Sequence, residues 1–389
     1  MNTISKHFMR SIFLFIAFAI LSFTSSAQCL ATYQDINNFV YVFDAGESKY
    51  IENLPLQSFK IGRNNIMAYI GQNGRLKVYY KGKVYPINDN SSNYFVTDNW
   101  MVYQNFNVIK VLYNNEFQNI ESFFRPGEDS LYVSDSLIVW TNTRGELNVF
   151  YNGETQLLER TEIHSPKISD NIFAYVDRNI TFKVFYQGQI RTLETYEPSN
   201  FTVNRDMLVY MDWYGNMKFF HDGVLSETPI PAPTVTFTAN PSNLFPMVDG
   251  ILNSNYATGE DFAVYISQLK QLVVYYKGEE TILMNDRPQY IIVKENIIAY
   301  TDKGNNFWVW YKGKKYWQER YIPTEYKVDN DIVVYKDING RLKAFYYGEE
   351  VQVSDQMVNR FNLYNEAVTY SIMPYQTKIW CNKKTFTFE

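Results

Sequence analysis

Cysteine, histidine, glycine and proline are all sparse in this chain of 389 residues, and each shortage excludes something. Two cysteines cannot build a disulfide scaffold or a cysteine-rich zinc module. His164 and His221 are the histidines beyond the first thirty residues, and neither is accompanied by a cysteine or carboxylate cluster at ligand spacing, so no metal site is expected. With 18 glycines and 13 prolines the chain is neither collagenous nor a low-complexity linker. Basic residues number 36 against 41 acidic, a net charge of −5, which gives no footprint for nucleic acid. The nucleophile elbow, the phosphate-binding loop and the dinucleotide fingerprint are all missing, and no cofactor is expected.

Aromatic residues, in contrast, make up 17% of the chain and hydrophobic residues 46%, enough to build a large core and to exclude disorder. Residues 1–27 have the layout of a secretory signal peptide. Lys6 and Arg10 precede an apolar run from Ser11 to Thr24, and Ser25-Ser26-Ala27 offers small residues for cleavage before Gln28. Gln28 before Cys29 argues against a lipoprotein. The remainder, residues 28–389, has no run long enough to span a bilayer. A secreted or periplasmic location is therefore expected.

Self-similarity organises everything after the leader. An apolar strand ending in an aromatic, a polar turn, a second apolar strand and a tight glycine turn recur ten times. The anchor aromatic falls at Tyr33, Tyr69, Tyr103, Trp140, Tyr175, Tyr210, Tyr265, Tyr300, Tyr335 and Tyr370. Steps between anchors are 34–37 residues except for one of 55, which marks an insertion at 229–255. Residues 200–227 show the unit: strand A at Phe201–Val203, strand B at Met207–Met211, strand C at Asn216–His221 and strand D at Val224–Ser226. Asp222-Gly223 reads as a two-residue hairpin turn, because glycine takes positive φ without a Cβ clash. Both faces of strands B and C are largely apolar, as for strands buried on two sides. Turn signals arrive about every ten residues, too often for helices.

A four-stranded meander buried on both faces needs a neighbour on each side, and radial packing of such sheets makes a β-propeller. The units resemble the blades of TolB-like and WD-type propellers in their apolar strand B, acidic B–C turn and strand C rich in valine and aromatics. Asp98-Asn99, Asp170-Asn171 and Asp329-Asn330 stand where TolB-like blades carry Pro-Asp-Gly. The resemblance implies an all-β propeller of ten short blades, the first lacking its first strand. Two smaller propellers or an open β-solenoid are the alternatives. In this scheme Cys29 lies in the A–B turn of the first unit and Cys381 ends strand C of the last. Those turns share a rim, so a disulfide is expected, stabilising by about 4–5 kcal/mol through loop closure. Two buried free thiols are the alternative.

Asp35, Asp177, Asp212, Asp302 and Asp337 recur two residues after the anchor, with Asn105 and Asn142 in the same column. They read as turn residues bonded to their own backbone rather than calcium ligands, which need several oxygens in one run. Candidate ligand contacts are Trp213 and Tyr214 in a B–C turn, with Phe237 and Phe245 in the insertion beside it. They bring apolar surface to a rim expected to be polar elsewhere. The expected function is non-enzymatic binding or scaffolding, with a protein or glycan as ligand. A carbohydrate-active hydrolase or lyase is the runner-up and a structural envelope component the third reading.

Overall fold

The computed structural model describes residues 29–87, 93–127, 130–227, 256–267, 269–372 and 376–388. The expected leader and the whole insertion at 229–255, with Phe237 and Phe245, lie outside the described residues. Ten antiparallel sheets follow one another along the chain, each a meander in sequence order. Among the described residues nine have four strands and the first has three, Leu30–Gln34, Val40–Asp44 and Glu47–Glu52, which take the places of strands B, C and D. No helix occurs among the described residues. In the unit at 200–227 the strands run Phe201–Asn204, Met207–Met211, Met217–His221 and Val224–Glu227, within a residue of expectation.

Period-two alternation decides what each strand face does. Leu208, Tyr210 and Phe220 of the sixth blade pack against Ile172, Ala174 and Val184 of the fifth. Met207, Val209 and Phe219 point the other way, onto Tyr265 and Val273 of the seventh. Every interior blade is thus glued on both faces, and the core is a set of radial interfaces rather than one centre. The ring is closed. Cys29, Ala31 and Phe43 of the first blade share a core cluster with Ala367, Ile379 and Cys381 of the last. Cys29 and Cys381 form the expected disulfide, with Cα atoms 6.0 Å apart. Closure removes the solenoid, and Arg63 of the second blade bonding Glu295 of the eighth removes the pair of smaller propellers.

The C–D turn at Asp222-Gly223 has positive φ at both residues, 49° and 76°, the twist that a two-residue hairpin requires. The turn carboxylates also behave as expected. Asp302 Oδ1 accepts the Gly304 and Asn306 amides at 2.8 and 2.9 Å, and Asp177 and Asp337 repeat the pattern. Burial would raise the Asp302 pKa, but the hydrogen bonds from Trp308, Asn306 and Gly304 outweigh it and hold it below the ordinary value.

The anchor tyrosines do more than fill the core. Tyr210 Oη donates to Glu194 Oε1 at 2.8 Å, and Lys218 Nζ meets the same oxygen at 2.8 Å. Glu194 ends strand D of the preceding blade, so the trio latches two blades together. Tyr175 and Lys183 meet Glu159 in the same way, and Lys343 with Tyr335 meets Glu319. Replacing Glu194 by alanine strands a buried hydroxyl. The expected loss is about 2–3 kcal/mol, against about 1 for Tyr210→Phe, read as the shift in urea midpoint.

Candidate functional site

Alternation of strand direction puts A–B and C–D turns on one rim and B–C turns with D–A connections on the other. The two rims differ in chemistry. B–C turns expose Ile36, Phe106, Ile180, Trp213, Tyr214, Leu269 and Ile338, one or two from each of six blades. Phe106 is 80% exposed, Trp213 78% and Tyr214 85%, so these side chains stand clear of their own turns. Leu54 and Phe123 add apolar surface from D–A connections of the same rim, and Met357 from the end of strand D of the ninth blade. On the opposite rim, Tyr347 is the one large apolar residue exposed in a C–D turn among the described residues. The expectation that the B–C rim is polar away from the insertion is therefore wrong. A turn tip is free to carry any side chain once its backbone is secured from below, and here many are apolar.

The securing is visible at Trp213 and Tyr214. Asp212 Oδ1 accepts the amides of Tyr214 and Asn216, each at 2.8 Å. Tyr196, in the connection from the fifth blade, accepts the Trp213 amide on its hydroxyl at 3.3 Å, and the two rings meet edge to face at 6.3 Å. Tyr321 repeats the clamp three blades on, accepting the Ile338 amide at 3.0 Å. Burial raises the pKa of both tyrosines, with the amide bonds opposing it, so each stays a neutral acceptor at physiological pH. The exposed tips are thus held by rigid turns, which lowers the entropy lost on contact.

The other rim is polar and charged. Five residues before each anchor, the A–B turns place Asn64, Asp98, Asp135, Asp170, Arg205, Glu260, Glu295, Asn330 and Asn365 around the axis. Arg205 bonds Glu260 at 2.7 Å and Glu295 at 2.6 Å and lies 3.2 Å from Asp170. Arg63 adds bonds to Glu295 at 2.7 Å and Asp98 at 3.4 Å. Asp170 is pushed up to about 7, first by burial and then by the charge of Asp135, with Arg205 opposing. Burial also raises Glu295 against the pull of both arginines. No motif along the chain marks this charged ring, although aligning the units on their anchors and reading that one column picks it out.

Of the candidate contacts, Trp213 and Tyr214 sit on the exposed tips. Phe237 and Phe245 fall outside the described residues. Among the described residues no group of three His, Cys, Asp or Glu side chains is arranged to hold a metal ion, and no helix is long and apolar enough to cross a membrane.

A family model described as a 10-bladed beta propeller domain matches residues 24–228 and 234–386. Among solved structures, the computationally designed Ika8 protein matches at 16% identity and a TM-score of 0.31, covering 84% of this chain and 96% of that one. PorZ, a bacterial surface component of the type-IX secretion system of Porphyromonas gingivalis, matches at 10% identity and a TM-score of 0.28, covering 94% of this chain and 59% of that one. Hsv2 of Kluyveromyces lactis matches at 11% identity and a TM-score of 0.32, covering 66% and 98%. Superpositions this poor carry no argument about this chain. No curated protein matches its sequence.

Proposed function

The chain belongs to the ten-bladed β-propeller family, and from that premise we propose an exported, non-enzymatic binding or scaffold protein that takes a protein or glycan ligand on its B–C rim. The leader-like layout of residues 1–27 in the sequence supports export. One observation carries the choice of rim: six blades place exposed apolar tips there, two of them clamped by a tyrosine, while the opposite rim is polar and charged. Exposed apolar surface on a rigid frame is what a contact site offers, and aromatic anchors at such sites are worth about 2 kcal/mol or more each. Phe237 and Phe245 remain proposed contributors from the insertion.

The test is photo-crosslinking in the native host, with a photoreactive residue at Leu269 on the B–C rim or Asn152 on the other. Adducts are expected from position 269 alone. Adding Trp213→Ser and Tyr214→Ser is expected to weaken capture by about thirtyfold or more while leaving the melting temperature unchanged. Equal adducts from both rims would refute the assignment. A glycan array read alongside separates sugar from protein ligands.

A second reading, carbohydrate hydrolysis or cleavage, draws on the carboxylates that converge at the axis, with Asp170 half-protonated near neutral pH. Arg205 and Arg63 already engage most of them in ion pairs, which favours a structural role. Release of reducing ends from polysaccharides incubated with the protein would favour catalysis.

A further inference from the structure

Arginine is divided unevenly between the two rims. Twelve arginines follow residue 28, and nine of them stand on the B–C rim. B–C turns hold Arg75, Arg144 and Arg178, and Arg341 opens strand C directly after such a turn. D–A connections hold Arg125, Arg160, Arg287 and Arg320, and Arg360 opens strand A of the tenth blade. All nine are exposed. Counting each connection with the blade it leaves, eight of the ten blades contribute. Every arginine ion pair among the described residues belongs instead to Arg63 or Arg205, at the axis of the opposite rim.

Carboxylates of the B–C rim are largely engaged. Asp35, Asp177, Asp212, Asp302 and Asp337 accept amides of their own turns. Asp286 holds Lys303, and Glu325 holds Lys336. The rim therefore offers a ligand many spare cationic donors and few spare acceptors.

A guanidinium presents a planar fork that matches a carboxylate bidentately. One exposed fork gains little from one carboxylate, because water and salt screen the pair, so affinity requires many pairs at once. These arginines recur from blade to blade, and packed sheets stand about 10 Å apart. A ligand that repeats a carboxylate along its length can meet such a series, whereas a folded acidic protein presents its acids at irregular spacing. Aromatic groups lie among the arginines. Phe106, Trp213 and Tyr214 expose their rings, and the Arg320 guanidinium lies 5.6 Å from the centre of the half-exposed Trp317 ring. Flat apolar faces of this kind pack against the C–H faces of sugar rings while polar groups bind at their edges.

We propose that the ligand of the B–C rim is a carboxylated polysaccharide, a polymer of uronic acid. Its acid groups bind the arginine series and its sugar faces rest on the aromatic tips. This inference rests on the assignment of the ligand to that rim and narrows its chemistry. The chain's net charge of −5 does not oppose it, because a ligand on one rim responds to charges within a Debye length of about 8 Å.

The full protein is tested with polygalacturonate as the probe, beside its fully methyl-esterified form and poly-glutamate. Polygalacturonate is expected to bind, more weakly as salt rises, and the other two at least about tenfold less tightly. Combining Arg144→Gln, Arg178→Gln and Arg341→Gln should weaken binding at least about tenfold with the melting temperature unchanged. Combining Lys83→Gln, Lys314→Gln and Lys384→Gln removes the same charge from the opposite rim and should change binding by less than about twofold. Equal losses in the two triple variants, or equal binding of poly-glutamate, would overturn the proposal. So would no binding of polygalacturonate; crosslinks from position 269 would then show that the ligand's chemistry, and not its rim, had been misassigned.

Discussion

Replacing Cys381 by serine is expected to destabilise the ring by about 4–5 kcal/mol. The bond joins residues 352 apart in sequence, so it restricts nearly the whole unfolded chain. At the seam it closes, the first blade has three strands among the described residues. Both sulfurs are buried, Cys29 fully and Cys381 almost so. Reductant should therefore attack slowly in the native state and quickly once the seam opens. Urea unfolding of the wild type, with and without reductant, should reproduce the Cys381→Ser difference. Thiol titration of the denatured, unreduced protein should find none free. A midpoint unchanged by reduction would show that packing between Ala31, Phe43, Ala367 and Ile379 holds the seam alone.

Arg205→Met is expected to be the next most damaging change, by about 2–3 kcal/mol at pH 8, because it leaves three half-buried carboxylates without their counter-charge. The pH dependence identifies the cause. Asp170 titrates at about 7 in the folded protein, above its ordinary value of 3.8. A carboxyl raised in this way binds its proton more tightly folded than unfolded. Its penalty is absent well below pH 4, grows as pH rises, and is complete above the folded pKa. Removing Arg205 raises Asp170 and Glu295 further, since its charge lowers both. The deficit of Arg205→Met should therefore shrink markedly between pH 8 and pH 5. Asp170→Asn should show the opposite sign, stabilising at pH 8 and doing little at pH 4. Urea midpoints across that range measure both. A deficit independent of pH would mean that Arg205 contributes by packing.

Much of this architecture is legible in the amino-acid sequence. Blade number, strand order and the hairpin at Asp222-Gly223 follow from patterns that repeat within thirty-five or so residues, because alternation, turn chemistry and period are local properties. The turn role of Asp177, Asp302 and Asp337 is legible for the same reason, since each bonds amides two and four residues ahead. The pairing of Cys29 with Cys381 needs one more step, the inference that first and last units meet on a common rim.

Whatever depends on residues meeting across the fold is not legible in this way. Glu194 reads as an ordinary strand-end acid until the next blade brings Tyr210 and Lys218 onto it. The apolar tips Ile36, Phe106 and Ile338 look like isolated exceptions along the chain, and become a surface only when their blades are arranged around one axis. Arg63 and Glu295 are 232 residues apart, and only closure of ten blades into one ring puts them 2.7 Å from each other. The sequence by itself determined the unit and its repetition, because those are set by neighbours along the chain. Tertiary structure decided the closed ring, the charged mouth and the apolar rim, because each is set by which blades face one another.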